Sequence, residues 1–267
     1  MANYGKVSSI TQKALYEPFE LQVARGQIGF HNSFCQFGIN GAVGTELETV
    51  WVGGGTYSFP ASATTTTVSS SSTNDTSAGT GARTVLVEGV NADYVAVSET
   101  VSLNGQTGVT LTNQYLRVNK LTVLTAGSGG TSAGSIYVGT GTVNTGVPAV
   151  VINRTGTSSN ESEAGFYTVP AGYTSYITRW TMSSANPTAN TSTRFILRIR
   201  PYGGVFGYKA VYNLAGNGIY ECEAAYPLPL PEKADLEILS LTSVDSAYVS
   251  TQLQMVRIAN SYDTGHT

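Results

Sequence analysis

Charge is scarce in this chain: 14 Lys and Arg and 17 Asp and Glu make up 12% of its 267 residues, against about a quarter in ordinary soluble domains. The surface must then be covered largely by Ser, Thr, Asn, Gly and Tyr. Such a surface suits closely juxtaposed subunits, where like charges would accumulate repulsion. The net charge of −3 comes without any cluster of Lys and Arg, so no direct contact with nucleic acid is expected. Histidine and cysteine are nearly missing, with two of each. Without a D-x-D-x-D run, zinc and EF-hand calcium lack local ligands, and neither a metal nor a cofactor is expected; loop carbonyls remain open as ion ligands.

No apolar run approaches the roughly 18–20 residues that span a bilayer. The opening stretch MANYGKVSSITQ has no apolar h-region, which predicts synthesis in the cytoplasm and no membrane partner. The sequons at Asn74, Asn153, Asn160 and Asn190 are then products of a Ser/Thr-rich composition. Cys35 and Cys222 read as reduced thiols, with a disulfide between the N-terminal region and the last third of the chain as the alternative. A nucleophilic pair of Cys35 with His31 lacks any pattern that would fix its geometry.

Long helical periodicity is absent too. Beyond residue 45 the chain is instead a series of short runs of Val, Ile, Thr, Tyr and Leu separated by Gly, Asn, Asp, Ser and Pro, which predicts an all-β protein. The first strands are expected at 47–52, 84–90, 94–103, 115–124, 135–138 and 148–152. In 94–103, Val95, Val97, Glu99 and Val101 share one face and Ala96, Ser98, Thr100 and Ser102 the other, so the first set faces a core with Glu99 as the exception. Residues 61–82 and 125–146 are Ser/Thr/Gly/Ala tracts, either loops or strands that need a partner. The polar stretch 153–163 reads as a linker. A second series follows at 164–169, 175–183, 193–200, 205–212, 218–225, 234–241 and 247–258, with 227–231 as a stiff proline-rich crossing. Trp51 and Trp180 fall in strand patterns and are expected in the core.

These elements predict one or two antiparallel β-sandwich domains of jelly-roll or Greek-key type. The boundaries are an extended N-terminal arm at 1–44 with an amphipathic turn near 12–16, a β-rich domain at 45–155, a β-sandwich at 160–258 and a tail at 259–267. For 1–44 a second reading stands beside the arm: the first strand or two of the domain behind it.

The catalytic signals are decoys. Gly130-Thr131-Ser132-Ala133-Gly134 matches a nucleophile elbow but lacks the helix that exposes the serine, and only His31 and His266 could serve it as bases. Asp263-Thr264-Gly265 would need a second copy to act as an aspartic protease loop. Glu46/Glu48, Glu161/Glu163 and Glu221/Glu223 each sit two apart on one strand face, a spacing commoner for solvation than for glycoside hydrolysis. The glycine-rich stretches 53–55 and 127–134 lack the helix and lysine of a phosphate loop. No enzymatic activity is expected. Among the 16 tyrosines, the aromatics of the last series supply the candidate contacts for a protein interface or a glycan: Tyr202, Phe206, Tyr208 and Tyr212.

Three phrases carry a resemblance. STNDTSAGTGARTVLVEGVNADYVAVSETVSLNG at 72–105, FYTVPAGYTSYITRW at 166–180 and PLPLPEKADLEILSL at 227–241 resemble segments of tailed-bacteriophage virion proteins. They are scattered over most of the chain and include no catalytic motif. The resemblance implies a virion structural component of β-sandwich domains, in particular a capsid decoration (cement) protein. As such it would bind the major capsid protein and copies of itself as a homotrimer. The alternative is a tail, head-fibre or receptor-binding component holding a host glycan on exposed aromatics. The family carries no functional residues over to this chain.

Overall fold

The computed structural model describes residues 17–186, 188 and 191–265; the turn expected near 12–16, the sequon at Asn190, and His266 lie outside them. The chain is nearly all β. It enters through a short helix α1 (Phe19–Ala24), a long strand β1 (His31–Val43) and a two-residue strand β2 (Glu48–Thr49). Seven strands follow: β3 (Thr64–Ser70), β4 (Ala82–Val90), β5 (Ala96–Ser102), β6 (Val109–Tyr115), β7 (Arg117–Ala126), β8 (Ile136–Asn144) and β9 (Val147–Arg154). The last seven are β10 (Phe166–Thr168), β11 (Tyr173–Ala185), β12 (Ser192–Arg200), β13 (Gly207–Ala215), β14 (Gly218–Leu230), β15 (Asp235–Thr242) and β16 (Ala247–Ala259).

Strands β3–β9 pair among themselves in two small antiparallel sheets, β6-β3-β8-β9 and β5-β4-β7. One core lies between them, built on Val68, Val85, Val87, Tyr115, Leu121 and Ile136. The alternation expected in 94–103 holds for Val97 and Val101, which pack on this core, while Val95 is exposed. Glu99 has a local reason for facing inward: its carboxylate accepts the backbone N–H groups of Thr112 and Asn113 at 2.9 and 3.0 Å. The threonine-rich tract yields β3, a strand paired on both sides by β6 and β8. Its neighbours satisfy the backbone that the composition alone could not.

The remaining strands form the sheets β1-β16-β11-β14 and β10-β15-β12-β13, with β2 added to β15. Counting β1 and β10–β16 as eight, the first pairs with the last, the second with the seventh, the third with the sixth and the fourth with the fifth, all antiparallel. That is one long two-stranded ribbon folded back on itself at the β12–β13 turn. The ribbon then rolls, bringing β16 onto β11 and β15 onto β12. The rolling closes a second core of Trp180, Met182, Phe195, Leu197, Ile238 and Leu253, each large side chain contributing roughly 1.5–3 kcal/mol by leaving water.

Two expectations are corrected. Residues 31–43 are not an arm: they are β1, hydrogen-bonded to β16 from His31↔Ile258 to Val43↔Ala247. The strand reading was the sound one, but β1 joins the last sheet rather than the domain immediately behind it. On its inner side β1 is packed so closely that a Cβ at Gly38 would sit 2.4 Å from the backbone of Gly165 and Val50. The proline-rich crossing is also strand, since β14 continues through Pro227 and Pro229 against β11. At the edge of its sheet β14 can lose backbone donors without breaking a ladder on both sides.

Candidate functional site

The four aromatics singled out in the sequence do not share a surface. Tyr202, in the β12–β13 turn, is exposed and sets its ring edge-on to Tyr94 of the preceding unit at 5.4 Å, with Lys233 Nζ 5.1 Å away. Phe206 is half-buried beneath the guanidinium groups of Arg198 and Arg200, 4.4 and 4.7 Å from its centroid. A bulge in the β12–β13 register between Leu197 and Arg198 lies between Tyr208 and Tyr212. Tyr208 is exposed, while Tyr212 packs against Trp180 at 5.4 Å. The Tyr212 hydroxyl shares a 3.1 Å hydrogen bond with Cys222 Sγ, which with burial raises its pKa to about 12.

What β13 does share is an edge. It closes one sheet of the rolled ribbon and β14 closes the other, and neither has a further strand partner among the described residues. The two run in sequence through the turn at Gly216 and Asn217, so both free edges lie at one side of the molecule. Val205, Tyr208, Val211, Ile219 and Tyr226 are exposed there, Val205 at 83%, Ile219 at 78% and Tyr226 at 90%. Apolar groups of this size therefore face water beside the two edge strands.

A second constellation, which the sequence reading did not find, joins the two units. Asp235 on β15 is buried and accepts hydrogen bonds from Arg117 on β7 (Nε at 3.1 Å, Nη2 at 3.3 Å), from Arg200 (Nε at 3.0 Å, Nη2 at 2.5 Å) and from Thr168 Oγ1 at 2.5 Å. Two residues along, buried Glu237 accepts from Arg198 Nε at 2.9 Å and Nη2 at 2.6 Å and from Thr49 Oγ1 at 2.6 Å. Burial pushes the Glu237 carboxyl upward against the pull of Thr49 and Arg198. Phe59 and Phe206 lie against the arginines. The signal was present in the runs FILRIR and DLEILSL: Arg198 and Arg200 alternate with apolar residues, as do Asp235 and Glu237, and they stand directly opposite one another across β12 and β15.

The sequence decoys sit in other roles. Ser132 is buried, its hydroxyl donating to Ser159 O at 3.0 Å and its N–H to Asn160 Oδ1 at 3.2 Å. Glu48 pins a loop by accepting from Gly44 and Gly55. Glu161 pairs with Lys120 at 3.0 Å, and Glu221 and Glu223 flank Arg179 at 3.0 and 2.7 Å. Cys35 and Cys222 are free thiols on β1 and β14, the opposite edges of a four-stranded sheet, about 14 Å apart at the spacing of paired strands. His31 lies four residues from Cys35 along one strand, about 13 Å at the usual rise, and its ring packs between Phe19 and Tyr262. Among the described residues no three His, Cys, Asp or Glu side chains gather as a metal site, and no helix is long and apolar enough to cross a membrane.

No family model and no curated protein matches the chain. Among solved structures, it is similar to the VP2 subviral particle of infectious bursal disease virus, at 10% identity over 93% of this chain and 79% of that one, with a TM-score of 0.24. A T=1 particle derived from the same virus matches at 12% identity over 86% of this chain and 70% of that one, with a TM-score of 0.26.

Proposed function

We propose that the rolled ribbon is a jelly roll and that the protein is a structural component of a virus particle, in its most specific form a capsid decoration protein packing against copies of itself and a major capsid protein. The observation that carries the reading is the double free edge of β13 and β14 with its exposed Val205, Val211, Ile219 and Tyr226. Two-sheet jelly rolls bury one core and leave their edges to be managed. Here exposed apolar side chains stand among the guards of the two edges, Lys209 on β13 and Glu221, Glu223, Pro227 and Pro229 on β14, which limit strand-on-strand pairing and leave side-chain packing as the means of association. The low charge and the virion-like phrases of the sequence point the same way. The alternative, a tail or fibre component holding a host glycan, asks for an aromatic groove in the last unit; of the four aromatics singled out in the sequence only Tyr202 and Tyr208 are exposed, and Tyr202 faces Tyr94 of the other unit.

The reading predicts a stable oligomer. Sedimentation of the purified protein is expected to give a mass of a small integral number of chains, with three as the specific expectation. Changing Val211 and Ile219 together to aspartate is expected to reduce it to the monomer with little loss of thermal stability, because both side chains already face water. Mixed with capsids that lack it, the wild-type protein is expected to add density at repeating lattice positions in electron cryomicroscopy. A monomer at every concentration that leaves such capsids bare would sink the proposal.

A further inference from the structure

Strand β1 is an edge of another sort from β13 and β14. It runs for 13 residues, HNSFCQFGINGAV, without a Lys, Arg, Asp, Glu or Pro, and among the described residues it has a strand partner on one side only. The register shows which backbone groups are left over. Ala259 donates its N–H to Phe30 O, and the pairing runs unbroken from His31↔Ile258 to Asn40↔Val249. Antiparallel strands exchange bonds at every second residue, so Asn32, Phe34, Gln36 and Gly38 turn their N–H and C=O groups to β16. Ser33, Cys35 and Phe37 turn theirs outward; all three residues are exposed, and among the described residues those groups have no partner.

A cleft of about 640 Å³ lies along this edge. Asn32, Phe34, Cys35, Gln36 and Phe37 line it from β1. Side chains of both strand faces take part, so the cleft follows the edge and not either face. From Asn32 to Phe37 it is about 16 Å long at the usual rise, the reach of about five extended residues. Over that length its volume gives a cross-section of about 40 Å², close to the space of a single strand, about 4.8 Å from its neighbour in a sheet and about 10 Å deep between stacked sheets. The opposite wall belongs to the sheet β5-β4-β7, where Gly89 has no side chain and Ala96 and Ser98 have small ones. That leaves depth for the side chains of an incoming segment. Glu88 and Glu161 in the lining are balanced by Lys120 and Arg257, so the cleft offers no net charge.

We infer that this cleft takes an extended, uncharged segment of another polypeptide, which adds to β1 as a fifth strand of its sheet. The outward N–H and C=O groups of Ser33, Cys35 and Phe37 supply the ladder, as main-chain bonds supply the affinity in strand addition generally. An edge without charges or prolines is a template for this pairing, and the cross-section admits one strand rather than the edge of a folded sheet. The inference does not depend on what the β13–β14 edge packs against.

Titration of the whole chain with the synthetic peptide acetyl-TVSVTVS-amide, read by calorimetry and by backbone hydrogen exchange, tests it. The peptide is expected to bind saturably and to slow exchange at Ser33, Cys35 and Phe37 by about tenfold or more, whereas Phe34 and Gln36 are slow with or without it. N-methylation of the peptide at alternate residues is expected to abolish binding when the methyls lie on one of its edges and to spare it when they lie on the other. Cys35→Pro removes a donor that points away from β16, a change tolerated on an edge strand, and is expected to weaken binding by about tenfold or more. Ser98→Trp fills the cleft from an exposed position outside β1. It is expected to weaken binding as much with the melting temperature unchanged, so that loss of fold and loss of ligand are told apart. Slow exchange at Ser33, Cys35 and Phe37 in the protein alone would give the edge to another part of this chain or to a second copy. That result, no saturable binding, equal binding of the two methylated peptides, or affinity indifferent to Cys35→Pro and Ser98→Trp would each overturn the inference.

Discussion

Asp235→Ala is expected to destabilise the protein by about 3–5 kcal/mol, the scale for breaking a buried ion pair from one side. The aspartate has four arginine N–H donors and a threonine hydroxyl on its two oxygens. Without it, Arg117 becomes a cation whose side chain is 6% exposed, still held by the carbonyls of Pro60 and Leu116 and unable to turn to water. Because Arg117 belongs to β7 and Asp235 to β15, the same substitution weakens the junction of the two units, leaving it to contacts such as Asn119 with Thr168 and Tyr94 with Tyr202. Denaturant unfolding followed by tryptophan fluorescence and by circular dichroism is expected to give one transition for the wild type and two for Asp235→Ala. Replacing Arg117 and Asp235 together with leucine is expected to recover part of the loss, since the one cation then left without its carboxylate, Arg200, is 30% exposed and reaches water. A loss under about 1 kcal/mol, the scale of an exposed pair, would show that water reaches the cluster.

The second large effect lies inside the β3–β9 unit. Asp75 is fully buried; its Oδ1 accepts from Ala82 N at 2.7 Å and Ala133 N at 2.8 Å, and its Oδ2 from Gly134 N at 2.9 Å and Ser70 Oγ at 2.5 Å. One carboxylate therefore fixes two long glycine-rich loops to each other. Its surroundings leave no slack: a Cβ at Gly81 would stand 2.1 Å from Oδ1. Asp75→Ala orphans three backbone donors, each costing about 1–3 kcal/mol when buried, so a loss of at least about 3 kcal/mol is expected. Asp75→Asn separates charge from geometry. Its carbonyl oxygen can keep Ala82 and Ala133, and the Ser70 hydroxyl can turn to accept, but the new NH2 faces the Gly134 N–H. About half the loss is expected for it, measured as the shift in urea midpoint. Equal midpoints for wild type and Asp75→Ala would mean that the loops hold themselves.

Of the two carboxylates, Asp235 left a signal in the alternation of its strand, whereas Asp75 left none. Asp75 lies in a tract with no periodicity, and its partners come from residues 70, 82, 133 and 134, so the site exists only once the loops meet. The strands of the last series were legible because each carries its own alternation, as Thr193–Arg200 and Asp235–Leu241 do, and their burial depends on that face alone. Val95 was misplaced because alternation says which face a side chain takes and not where the core ends. Strand β1 gives the clearest limit. Cys35, Gln36, Phe37 and Gly38 have no consistent polarity, because one edge of β1 meets β16 while the other has no strand partner among the described residues.

The nested order of the ribbon also sets a timetable for the growing chain. Strand β1 is made early, yet its partner β16 appears only after fourteen other strands have left the ribosome. The seven strands β3–β9 find all their partners locally and can condense while the rest is being synthesised. The ribbon must form from its middle, with β12 meeting β13 first, then β11 with β14 and β10 with β15, and the outermost pair last. Loop closure over most of the chain makes that final step slow. Until it happens β1 waits as an unpaired edge, and nascent chains crowded on one message could trade first strands with one another.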